Sequence, residues 1–198
     1  MQRKDTDILM SNLHHSDSFV RADAIFALGE QRVGLAVPAL IQILAQDTTL
    51  APPLADHAAW ALGKIGDSQA LPALLAAHAR GLFAALDGLA GIPGDQAFAA
   101  VLRAFEHTHH PHLATLLGRR GDRRAVPALM AAMADPDQFV RFYTVRALGR
   151  LGDSRAIDVL KGSSHDQRVV KHKTIARAVE IALELIHQQA PNGEGEQH

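Results

Sequence analysis

The sequence predicts an all-α fold: a right-handed α-solenoid of about five two-helix repeats, closed by a capping helix at each end. Three observations carry this expectation. A glycine-centred pattern returns along the 198 residues at near-regular intervals. Alanine and leucine dominate while aromatic residues make up only 5%, a composition that suits closely packed helices. No segment shows the alternation of apolar and polar residues that a half-buried strand requires.

Taken in order, DTDILMSNLHH reads as one helix within residues 1–16, capping the first repeat. Residues 17–165 then hold the repeats. ALGEQRVGLAVPALIQIL (27–44), ALGKIGDSQALPALLAAH (61–78), LLGRRGDRRAVPALMAAM (116–133) and ALGRLGDSRAIDVLKGSS (147–164) align without gaps. Gly29, Gly63, Gly118 and Gly149 stand nine residues before Pro38, Pro72, Pro127 and, where the pattern breaks, Asp158. The interval between Gly63 and Gly118 has room for one more copy. GLAGIPGDQAFAAVLRAF (88–105) fills it, with Ala90 in the glycine place. This third repeat, about 79–106, is degenerate, because Gly81, Gly88, Gly91, Gly94 and Pro93 shorten or bend its first helix. Two further departures are Arg32-Val33, where other repeats have Gly-Asp, and TTLAPPL, which lengthens the connection into the second repeat.

Each repeat reads as a helix pair. In DQFVRFYTVRALGRLG, an aspartate suited to N-capping opens the first helix and a glycine suited to the left-handed C′ position closes it. In AVPALMAAM, the second helix carries a proline in its first turn, where a missing N–H costs least. The glycine or alanine inside the ALG triplet lets neighbouring helices approach closely. One pair is too small to bury its own apolar stripe, so the pairs must stack. Residues 166–189 read as one long C-terminal capping helix, and 190–198, APNGEGEQH, as a disordered tail.

Val20-Arg21 and Val140-Arg141, the ALG triplets and the GD-x-x-A-(V/L/I)-P-A-L runs together resemble the short HEAT-like repeat of phycobilisome lyase subunits, over roughly residues 5–186. The resemblance is specific for fold and poorly specific for function. It implies that the first helix of each repeat lines a concave face. Counting from the glycine, positions −10, −7, −6, −3 and +1 then point into that groove. They hold Phe19, Asp23 and Phe26, then Asp56, His57 and Trp60, then Phe83. The fourth repeat adds His112 and Arg119, and the fifth Phe139, Phe142, Tyr143, Arg146 and Arg150. Seven of the nine aromatic residues fall on these positions, leaving Phe98 and Phe105 elsewhere. Solvated positions do not collect the bulkiest apolar side chains, whereas binding surfaces favour Trp, Tyr, Phe and Arg. The expected function is therefore a non-catalytic scaffold that binds a protein partner. The alternative is a phycobilin lyase-like role, with a bilin bound for attachment or detachment. Arg119, Arg146 and Arg150, with Tyr143, Asp56 and His57, would then hold the tetrapyrrole and its propionates.

Other chemistry has little to stand on. No catalytic set, cofactor or metal site is expected, and the lack of cysteine removes disulfides and thiolate chemistry. EHTHHPHL (106–113) packs four histidines into His107–His112, but it falls in the turn before the fourth repeat, with His109-His110 in the place of Val-Arg. A helical metal pair needs i, i+4 spacing, so a polar turn is the better reading. Deoxyhypusine hydroxylase resembles this architecture but uses His-Glu pairs for a di-iron centre, and the chain has no His-Glu dipeptide. Neither a Ser–His–Asp pattern nor a phosphate-binding loop is present. Net charge is −1 and the arginines form no dense basic stripe, which argues against nucleic acid. Charge is uneven, with six Lys/Arg against ten Asp/Glu in 1–99 and fourteen against eleven in 100–198. The polar start MQRKDTDILM and the absence of a long apolar run argue against a signal peptide or membrane span and leave the cytoplasm as the expected location.

Overall fold

The computed structural model describes residues 2–46 and 54–189. The tail expected at 190–198 lies outside the described residues, as does nearly all of TTLAPPL. The fold is an all-α solenoid-type stack of helix pairs, and the chain divides into two compact units, Met1–Ala100 and Val101–His198. In the first unit, α1 (Gln2–Asn12) packs on α2 (Ser18–Glu30), which is followed by α3 (Val37–Ala45), α4 (Leu54–Ile65), α5 (Leu71–Ala79) and α6 (Ala84–Gly91). Helices α2, α4 and α6 form one layer, with α3 and α5 behind them. Helix α7 (Gly94–Thr108) carries the boundary between units. In the second unit, α8 (Pro111–Arg120) packs on α10 (Gln138–Leu151), and α10 on α12 (Ile175–Gln189). The short helices α9 (Val126–Ala131) and α11 (Ile157–Gly162) complete the pairs.

The repeated letters have physical roles. Leu28, Leu62, Leu89, Leu117 and Leu148 each precede the glycine position and are fully buried, each stabilising by about 1.5–3 kcal/mol. The glycines permit contact between backbones: a Cβ on Gly29 would lie 2.9 Å from the Cα of Ala61, and one on Gly118 2.7 Å from that of Ala147. Both partners stand two residues before the next repeat's glycine. Gly63 meets Gly88 in the same way, which identifies Ala90 as the glycine equivalent of the third repeat. Asp17 and Asp137 cap α2 and α10, accepting from the backbone N–H of Phe19 and Phe139 at 2.8 Å. The arginine of each Val-Arg ties the preceding turn. Arg21 donates to the carbonyls of His15 and Ser16, and Arg141 to those of Asp135 and Pro136. Gly66, Gly121 and Gly152 take the left-handed conformation after their helices, and in the first repeat Arg32 takes it, with φ 51°.

One local expectation changes. Residues 166–189 are not one capping helix. Val169–Val170 (β1) pairs antiparallel with Lys173–Thr174 (β2), and only Ile175–Gln189 is helical. The β-branched pair favours an extended backbone, while Lys171 and His172 turn the chain with φ 48° and 65°. Asp166 holds this knot through the backbone N–H and guanidinium of Arg168. The fourth repeat's Val-Arg equivalents, His109-His110, lie before α8, as expected. Pro111 starts that helix and biases His110 to the extended backbone it shows.

Candidate functional site

In the first unit the outward side of α2 and α4 carries a compact aromatic cluster. The rings of Phe26 and Trp60 lie 4.8 Å apart and within 4° of parallel. Gly29 makes this possible, because a Cβ there would fall 2.8 Å from the Cζ3 of Trp60. Lys64 places its ammonium 5.2 Å from the Trp60 ring centroid and pairs with Glu30 at 3.0 Å. Phe19, two turns before Phe26 on α2, is 68% exposed, and Phe26 is 51% exposed. Phe83, just before α6, is 65% exposed. Asp23 is exposed, while Asp56, His57 and Trp60 are half-buried. In the first repeat, positions −10 and −3 thus open to solvent, and the side chains there are large and apolar.

The fifth repeat requires a correction. Phe139, Arg146 and Arg150 are exposed, but Phe142 is only 2% and Tyr143 7% exposed. Positions −7 and −6 face the crevices on either side of a first helix, so their exposure depends on what the neighbouring helix offers. Tyr143 turns its edge to the ring of His112 on α8, with centroids 6.1 Å apart. Phe142 forms part of the floor of a cleft between α10 and α12. His112 is correspondingly half-buried, while Arg119, at +1, is exposed.

That cleft, of about 360 Å³, brings Arg146 and Arg150 together with Lys171 and Lys173 of the hairpin. Ile181 and Leu185 of α12 extend its apolar floor. The sequence reading missed these hairpin and α12 residues because it placed 166–189 in a plain capping helix. The available signal was the VVKHKT run, two β-branched residues followed by clustered cations.

Of the histidine run only His109 and His110 form the turn; His107, expected there too, lies in the last turn of α7, and His112 lies in the first turn of α8. His110 caps α8, accepting from the backbone N–H of His112 at Nδ1, 3.4 Å away. Burial, then the neighbouring His112, lowers the His110 pKa and so favours the neutral imidazole that can accept. His109 contacts Asp135 at 2.9 Å. Among the described residues, no three or more His, Cys, Asp or Glu side chains group as a metal would require, and no helix is long and apolar enough to cross a membrane.

Comparison with known proteins gives the family. The HEAT repeats family matches residues 6–81 and 111–180, well over half of the chain. This chain belongs to the HEAT-repeat family. Deoxyhypusine hydroxylase of Bos taurus is 36% identical to the HEAT-repeat chain over 102 residues, which is 49% of this chain and 34% of that protein. The Gallus gallus counterpart is 34% identical over the same length and with the same coverage. The match thus spans about a third of those relatives. Among solved structures, the complex of CpcE and CpcF of phycocyanin lyase from Nostoc sp. PCC7120 is similar, with TM-score 0.51 and 22% identity, over 92% of this chain and 94% of that one. At that identity the likeness concerns the fold alone.

Proposed function

We propose that this HEAT-repeat chain is a non-catalytic scaffold that binds a protein partner through the exposed aromatic face of α2 and α4. The observation carrying this reading is the Phe26–Trp60 stack, solvent-facing and flanked by the more exposed Phe19. Rings already stacked lose little freedom on binding, and aromatic anchors of this kind dominate the affinity of protein interfaces. The test is a photo-crosslinking amino acid placed at Phe26, with Leu35, exposed on the turn after α2, as the control position. In the native host, a discrete protein adduct from position 26 and none from position 35 supports the reading. Equal labelling from both positions contradicts it.

A second reading is a bilin-handling role. It is favoured by the fold likeness to the phycocyanin lyase complex and by the cationic, apolar-floored cleft beside α12. Incubation with phycocyanobilin and an apo-phycobiliprotein separates the two readings. A covalent adduct formed only in the presence of this protein favours chromophore handling. The deoxyhypusine hydroxylase matches cover about a third of those proteins, and this chain lacks the His-Glu dipeptide that a di-iron role would use, so neither reading above draws on that activity.

A further inference from the structure

The cleft between α10 and α12 in the second unit has a charge pattern that its own surroundings leave unbalanced. Arg146 and Arg150 stand one turn apart on α10, and Lys171 and Lys173 approach from the hairpin. Among the described residues no carboxylate lines this cleft, and none of the four cations pairs with one. Asp166 pairs with Arg168 and Arg141, and Glu180 with Arg177, while Glu184 of α12 does not line the cleft. Arg146 and Lys171 even share one ring. The guanidinium carbon of Arg146 lies 5.9 Å, and the ammonium of Lys171 5.3 Å, from the centroid of Tyr143. Each cation thus has an aromatic ring but no carboxylate beside it, and a ligand carboxylate would supply the missing opposite charge.

The floor is apolar, formed by Phe142, Ala178, Ile181 and Leu185, and it ends where Gly149 packs against Ala182, a Cβ on Gly149 falling 2.7 Å from the Cα of Ala182. Phe139 extends the strip along α10, so Phe139 to Arg150 spans ~16 Å. About five residues of extended chain cover that length. We infer that this cleft binds an acidic peptide segment of a partner protein, with apolar side chains seated on Phe142, Ile181 and Leu185 and carboxylates meeting Arg146, Arg150, Lys171 and Lys173. Arginine forks suit carboxylates, and the two lysines add screened, long-range attraction. This inference rests on the scaffold reading, but it uses a different surface and names the chemistry of the partner.

The probe is a fluorescein-labelled peptide of about ten residues in which glutamates alternate with leucines around a central phenylalanine. The expected result is saturable binding that weakens with salt and falls at least about tenfold in Arg146→Glu with Lys171→Glu. Both side chains are exposed, and circular dichroism checks that the variant folds. A second measurement needs no variant: carbodiimide coupling should join the peptide to Lys171 and Lys173, and not to Lys64 or Lys161. Four outcomes overturn the inference: no saturable binding, indifference to charge reversal, coupling spread over all lysines, or displacement by citrate as effective as by unlabelled peptide. Trp60→Ala should leave peptide binding unchanged. Failure of the peptide with Trp60-dependent partner binding intact therefore removes the cleft alone. The converse removes the aromatic face alone.

Discussion

Gly118→Ala should destabilise this protein although alanine is the better helix former. In an ordinary helix interior the change stabilises by about 1 kcal/mol. Here the new Cβ would sit 2.7 Å from the Cα and 3.0 Å from the Cβ of Ala147. Backbone cannot rotate away as a side-chain tip can, so α8 and α10 must separate. Overpacking of this kind costs about 1–3 kcal/mol. The net effect is a loss of up to about 2 kcal/mol, a fall of up to roughly 4–8 °C in the thermal midpoint for a chain of this size. Thermal unfolding followed at 222 nm reads it, with Gly162→Ala as control, because a Cβ on Gly162 meets nothing within 4 Å. If Gly118→Ala stabilises as much as Gly162→Ala, the close-approach role of the repeated glycine is wrong.

Three further outcomes are expected. Arg32→Gly should stabilise by about 1 kcal/mol in urea unfolding, because Arg32 holds the left-handed conformation that glycine adopts without penalty; no gain would mean that the side chain makes up for the strain. Hydrogen bonds from Arg124, Arg155 and Arg168 hold the carboxyls of Asp122, Asp153 and Asp166 below the usual carboxylate range. With folded pKa values below the unfolded ~3.9, their stabilisation is complete above about pH 4 and is lost as pH falls through the depressed values. Urea midpoints should drop below pH 4, and Asp122→Asn with Asp153→Asn should flatten the drop; a decline starting near pH 6 would point to other groups. Leu74→Ala, at a fully buried position, should cost ~2–5 kcal/mol, and a cost below 1 would question the core assignment.

Much of the fold was legible because its repeat uses residues with single physical roles. Glycine marks backbone contact, aspartate marks a cap, and proline marks a first turn, so Gly29, Asp137 and Pro127 could be placed from letters alone. The hairpin at 169–174 was not legible. Its turn uses Lys171 and His172 at positive φ, and neither residue type announces that conformation. The site divides in the same way. Phe19 and Phe26, at −10 and −3 of the first repeat, have no preceding repeat's helix to cover them and could be read as exposed, whereas Trp60, also at −3, is half-buried in its stack on Phe26. Positions −7 and −6 border a crevice whose width is set by another helix far along the chain, and Phe142 and Tyr143 were therefore misread as open. Lys171 and Lys173 went unseen because their cleft depends on that same unread hairpin.

The central claim is that the Phe26–Trp60 platform binds a partner, and Trp60→Ala tests it most directly when read in two ways on one preparation. Losing the stack and a half-buried ring should cost about 1–2 kcal/mol of folding stability, below the cost of Leu74→Ala. Affinity for the protein that crosslinks through position 26 should fall by at least ~2 kcal/mol, measured by titration with that partner under conditions where the variant is folded. Undiminished affinity, or unfolding as severe as that of Leu74→Ala, would contradict the account, since Trp60 would then be either a bystander or part of the core.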